Sequence, residues 1–144
     1  MLSSVVVTSM AGWPRIVASG ALWAMVYNLV WGVAWFAFMG AAWVDEFAAR
    51  GQSSPWTAAV WFLWVVLTLP MGVAIMAHAA SDARSPARAA VRAALAVCLL
   101  LTLGMGGWGV QASVSIRVLA LDAAVNLIGM VSGSVAGAWS FRGV

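Results

Sequence analysis

The chain has 144 residues, of which 65% are hydrophobic and 8% are charged, and its seven arginines and four acids give a net charge of +3. Soluble domains carry roughly 25% charged residues, and a chain this short has too little interior to hide so much apolar surface. The composition therefore excludes a water-soluble globular domain. It also argues against nucleic-acid binding, because no basic stripe is present to neutralise phosphates.

The apolar residues form four long runs, which predict an all-α integral membrane bundle of four transmembrane helices in a single domain, 1–144. The spans are expected at about 14–39, 56–79, 89–110 and 116–139, and each reaches the roughly 20 residues that cross a bilayer. The runs are apolar on every face, whereas barrel strands alternate apolar and polar residues. Arg84, Arg88 and Arg92 lie between the second and third spans, so the positive-inside rule predicts that both termini are cytoplasmic.

The first span carries a row of small residues at every fourth position, which is typical of closely packed membrane helices. The row consists of Gly20, Ala24, Asn28 and Gly32. We expect it to pack against the fourth span. Asn28 would then lie near mid-membrane, where a hydrogen bond to Asn126 is a candidate interhelical lock.

Ten tryptophans gather mainly toward one end of the spans. An aromatic belt at the membrane interface accounts for most of them. Four of them are also expected to lie deep enough to surround Asp122 in a pocket for an organic cation or a flat apolar ligand. These four are Trp31, Trp35, Trp61 and Trp108.

His78, the single histidine, lies at the end of the second span. It is a candidate axial ligand for haem or for a chlorophyll magnesium. No second histidine and no haem-attachment motif accompany it, so an interfacial histidine without a ligand is the simpler interpretation. No metal-spaced cluster and no cysteine pair occur, so no metal is predicted and the cofactors stay open.

The fourth span contains a stripe of three glycines, Gly129, Gly133 and Gly137, spaced four apart. The stripe predicts close helix contact, with another span of this chain or with another protein as the partner. Asp122, about two turns into the same span, is the most unusual residue, since a carboxylate inside a membrane costs a few kcal/mol. It is a candidate proton or cation site, with Asn126 one turn further on. The alternative is a structural carboxylate.

Two stretches resemble those of small uncharacterised bacterial four-helix integral membrane proteins. One is the tryptophan-rich close of the first helix, residues 31–39 (WGVAWFAFM), and the other is the opening of the last helix, residues 117–122 (RVLALD), followed by spaced glycines. The resemblance implies a four-helix, multi-pass protein of the bacterial inner membrane and no particular activity. Small multidrug exporters are similar in size, but their key acid lies in the first helix, and the first span here has none.

Two functional hypotheses follow, neither of them enzymatic, since no catalytic set of residues is present. The first is a structural or interaction subunit, associating with itself or with another membrane protein through the glycine stripe and otherwise contacting lipid. The second is a small transporter or channel for a small solute or an organic cation that uses Asp122. The half of the membrane nearer the termini offers almost no polar residue to line a pathway, which favours the first hypothesis.

Overall fold

A computed structural model describes residues 12–82 and 84–140. Within these ranges the chain consists of helices and turns, without strands. Four helical stretches are long and apolar enough to cross a membrane: Trp13–Ala48, Ala58–Ala80, Pro86–Gln111 and Ile116–Trp139. The predicted all-helical, four-span architecture is thereby confirmed, and the chain is a multi-pass membrane protein. The orientation of its termini stays a prediction.

The first stretch is a helix in three parts: α1 (Trp13–Ala34), a π-helical turn (Trp35–Met39) and α2 (Gly40–Ala48). Pro14 lies in the first turn of α1, where its missing N–H is not needed. At the π turn the amide of Gly40 donates to the carbonyl of Trp35, five residues back. The helix thus continues nine residues past position 39, and Asp45 and Glu46 lie on its last turns rather than in a loop.

The π turn changes which face of the helix is buried. Before the π turn, the buried residues Trp31 and Ala34 have the three- or four-residue spacing of an ordinary α-helix. After it, Met39 and Trp43 have this spacing again. The step from Ala34 to Met39 is five residues. The wider turn therefore keeps the aromatic face of α2 pointing into the bundle.

The other spans are α3 (Ala58–Ala80), α4 (Pro86–Gln111) and α5 (Ile116–Trp139). Thr57 caps α3 by accepting a hydrogen bond from the amide of Val60. Helix α4 begins at Pro86, three residues before position 89, because proline suits the first turn of a helix.

Helix α1 packs between α3 and α5, and α4 packs against α5 and α3. The outward faces carry exposed apolar side chains such as Leu29, Leu63 and Leu100, as expected for surfaces that contact lipid. We call the two ends of the bundle the Glu46 end, with the turn at 112–115, and the Ser140 end, with the start of α1.

Candidate functional site

The glycine stripe of α5 packs inside the chain, against α1. A Cβ atom added at Gly129 would lie 2.9 Å from the ring of Tyr27, and one at Gly133 would lie 2.9 Å from the carbonyl oxygen of Trp23. At Gly137 it would lie 3.0 Å from the carbonyl oxygen of Ser19. The sequence left two possible partners for this stripe, another span of the chain or another protein. In the structure the stripe packs against another span of the chain.

The small-residue row of α1 does not face α5, so this part of the sequence prediction is wrong. A Cβ atom on Gly20 would lie 2.6 Å from the backbone of Val73 in α3, and Gly32 has no atom near enough to restrict a side chain. The face of α1 toward α5 instead carries the large rings of Trp23 and Tyr27. Large side chains on α1 fill the groove that the glycines leave on α5, so two small rows never meet.

Asp122 belongs to a buried hydrogen-bonded group that we call the Asp122 cluster, with Asn126 at its centre and Tyr27 and Trp31 on the other side. The amide nitrogen of Asn126 donates to Oδ2 of Asp122 at 2.9 Å and to its carbonyl oxygen at 3.1 Å. The amide oxygen of Asn126 accepts from the Tyr27 hydroxyl at 2.5 Å and from Nε1 of Trp31 at 3.2 Å. Asn126 thus joins the carboxylate to two side chains of α1.

Asn28 does not bond to Asn126, contrary to the sequence prediction. Its amide nitrogen donates to Oγ1 of Thr68 in α3 at 2.7 Å and to the carbonyl oxygen of Ala24 at 2.8 Å. The reason is rotational, because successive residues of a helix point about 100° apart. Tyr27 points toward α5, and Asn28, the next residue, faces α3.

Polar contacts continue along α1 and α5 toward the Ser140 end. Nε1 of Trp23 donates to Oγ of Ser134 at 3.1 Å, and the hydroxyl groups of Ser19 and Ser140 lie 2.5 Å apart. We call this interface the α1–α5 seam. The expectation for this half of the bundle was that almost no polar residue lines a pathway, and these hydroxyl and indole groups are bonded to one another in the packed interface. A row of residues four apart on α1, which begins at Ser19 and includes Trp23, Tyr27 and Trp31, was the available signal.

The predicted tryptophan cage around Asp122 does not assemble among the described residues. Of its four members, Trp31 alone bonds to the Asp122 cluster. Trp35 and Trp61 pack edge to face with ring centroids 5.0 Å apart. Trp108 packs on Trp43 and Phe47, with centroids 6.1 and 6.4 Å away. The tryptophans mainly surround one another, near the Glu46 end.

Asp122 also borders a cleft between α4 and α5 of about 280 Å³. Its walls include Thr102, Met105 and Gly106 from α4, and Leu119 and Ala123 from α5. Asp122 itself is only 3% exposed. Its Oδ1 atom is buried and has no hydrogen-bond partner among the described residues, although Oδ2 is bonded. One carboxylate oxygen thus remains free to accept a hydrogen bond.

Gly106 of α4 adds no side chain to the wall of this cleft. A Cβ atom added at Gly104, Gly106 or Gly107 would meet no other atom within 4 Å. These glycines differ from those of α5, where every Cβ position on the stripe is occupied by a neighbouring helix. Gly106 lines the cleft, and Gly104 lies outside it.

Charged residues at the Glu46 end hold the turn between α4 and α5. Glu46 accepts from the amide of Ser115 at 2.9 Å and from its hydroxyl at 2.6 Å. Arg50 pairs with Glu46 at 3.3 Å and donates to the carbonyl oxygen of Ala112. The spacing of Glu46 and Arg50 permits an ion pair on one helix, but nothing in the sequence predicted the contact with Ser115.

Arg117 lines a separate surface cavity with Asp45 and Glu46, and Asp122 has no ion pair within the described ranges. His78 is exposed in the last turn of α3, and its carbonyl oxygen accepts from the Ser81 hydroxyl at 2.6 Å. No group of three or more potential metal ligands lies together in the part of the chain that the structure describes.

Comparison of the chain with protein-family models, with curated proteins and with solved structures finds no match. The function therefore has to be inferred from the site itself.

Proposed function

We propose that this protein is a non-catalytic transporter of a small monovalent cation, in which Asp122 holds the cation and a proton in turn. The observation that carries the proposal is the unpaired Oδ1 of Asp122, buried beside an open cleft. A carboxylate inside a membrane is costly, and such groups commonly serve ion or proton pathways.

The contacts of Asp122 suit exchange between a proton and a cation. Asn126 donates to Oδ2 at 2.9 Å and so stabilises the charged form. Oδ1 has no such donor, so a proton or a cation is needed there to balance the buried charge. Tyr27 and Trp31 fix Asn126 from the other side. The α1–α5 seam continues the polar contacts toward the Ser140 end with the hydroxyl groups of Ser134, Ser19 and Ser140.

The proposal is tested in proteoliposomes that contain a pH-sensitive dye. Gradients of sodium, potassium and ethylammonium ions are applied to separate samples, and the dye reports proton movement. We expect at least one of these cations to drive proton flux through the wild type, and Asp122→Asn to lower that flux at least tenfold. Asp45→Asn, which removes an exposed acid at the Glu46 end, is the matched control and should keep the wild-type rate.

Unchanged flux in Asp122→Asn, or wild-type vesicles that show no flux with any of the three cations, would overturn the proposal. The second outcome would favour the other hypothesis, a structural or interaction subunit. That hypothesis relied on the glycine stripe as a docking face, and Gly133 is buried against Trp23 of the same chain. A docking partner would have to use the exposed apolar surfaces. Purification in mild detergent would then be expected to give a larger particle with stoichiometric partners.

A further inference from the structure

The geometry points to an amphipathic primary amine, a single alkyl chain with a terminal ammonium group, as the ligand of the α4–α5 cleft. It would enter sideways from the bilayer and donate a hydrogen bond to Oδ1 of Asp122. This inference rests on the proposed function and specifies its substrate class.

The unpaired carboxylate oxygen selects the head group. Within the described ranges Oδ1 is an acceptor without a partner, and an ammonium group supplies both N–H donors and a compensating charge. A quaternary ammonium group has the same charge but no N–H, so it would leave the acceptor unpaired. The site should therefore distinguish a primary amine from its trimethylated counterpart.

The walls of the cleft select an apolar body without a phosphate. Besides Asp122, its lining is mostly apolar, including Met105, Ile116 and Leu119, and contains no arginine, lysine or histidine. A phospholipid head group would bring a phosphate close to the carboxylate with no cation in the lining to balance it. A simple alkylamine carries no such group, so the charges favour it over an aminophospholipid.

The depth of Asp122 suits a ligand that lies along the bilayer. Helix α5 has 24 residues, or about 36 Å at 1.5 Å per residue, against a hydrocarbon core of about 30 Å. Asp122 is six residues into this helix, so it lies only a few Å inside the hydrocarbon edge. A single-chain amine places its head group at this level and its chain among the lipid tails.

The side of the cleft that faces the bilayer is open. Val110 and Ile116, which border it, are 76% and 81% exposed. Gly106 adds no side chain to the wall, and a Cβ atom there would meet no neighbour. A leucine at this position should therefore fill the cleft without disturbing the helices around it.

Native mass spectrometry of the detergent-solubilised full chain tests the inference, with dodecylamine as the probe and dodecyltrimethylammonium as the comparison. We expect dodecylamine to bind one per chain and at least tenfold more tightly than the trimethylated compound. Asp122→Asn and Gly106→Leu should each weaken dodecylamine binding at least tenfold. Gly104→Leu adds the same side chain to α4 outside the cleft and should stay within about twofold of the wild type.

Equal binding of the two compounds, or full binding by Gly106→Leu, would overturn the inference. So would a bound phosphatidylethanolamine that dodecylamine does not displace, which would assign the cleft to a phospholipid head group. Failure of the proposed function can be distinguished from failure of this inference about the substrate class. If Asp122→Asn abolishes cation-driven proton flux while dodecylamine does not bind, the carboxylate transports a small cation and the substrate class inferred here is wrong.

Discussion

Helix α5 has two contrasting sides. Toward α1 its glycines are covered by Trp23 and Tyr27, and side-chain hydrogen bonds cross the interface from Trp31 to Ser140. Toward α4 it borders a cleft lined by Gly106 and by Asp122, whose Oδ1 atom has no hydrogen-bond partner among the described residues. The contrast teaches that glycine at helical spacing has two opposite uses in one small bundle. On α5 the glycine stripe allows close packing, whereas Gly106 of α4 leaves space beside the cleft.

The largest effect is expected from a large side chain in the α1–α5 seam. Gly133→Leu places a Cβ atom 2.9 Å from the carbonyl oxygen of Trp23, a backbone atom that cannot rotate away. We expect the two helices to separate and most of the folded protein to be lost in detergent. Gel filtration and near-ultraviolet circular dichroism measure the loss. Gly104→Leu is the control and should stay folded, and equal behaviour of the two variants would contradict the contrast between the helices.

A smaller effect is expected from removing one hydrogen bond of the Asp122 cluster. Tyr27→Phe deletes the hydroxyl that donates to Asn126 and leaves the ring packed on Gly129. Interhelical hydrogen bonds in membranes contribute about 1 kcal/mol or less, so the free energy of unfolding should fall by about that amount. Titration with a denaturing detergent measures it. A variant as stable as the wild type would show that the seam depends on packing alone.

The smallest effect on stability, and one of opposite sign, is expected on the cleft side. Asp122→Asn removes a buried charge with one unpaired oxygen, so the free energy of unfolding should rise by about 0.5 kcal/mol. The same titration measures it, in parallel with the flux assay. A clear loss of stability would instead identify Asp122 as a structural carboxylate.

The sequence was sufficient for the fold, because four long apolar runs with few charges leave a chain few choices other than membrane helices. It also named Asp122 and Asn126 as candidate residues, but it did not name Tyr27, which donates to Asn126 from α1. It did not predict how they pair. Asn28 and Tyr27 are neighbours in the chain, and a rotation of about 100° decides which of them faces α5.

The tryptophans show a second reason why the pairing was not predicted. Their number near one end of the spans indicated an aromatic assembly, but not what lies inside it. Trp35 and Trp61 contact each other at 5.0 Å instead of enclosing the carboxylate. Edge-to-face pairs of this kind depend on helix rotation and on the π turn, which hydropathy does not encode.

The π turn between α1 and α2 also affects how this chain can vary in length. It accommodates one residue more than an α-helical turn would, so it behaves as a single-residue insertion inside a continuous helix. Deleting one residue there would place Ala34 and Met39 four positions apart, which is the spacing of residues on one face of an α-helix. Trp43 would then stay inside the bundle, and Glu46 would keep its position over Ser115. Relatives with a one-residue gap at this point should therefore keep matching residues at both positions.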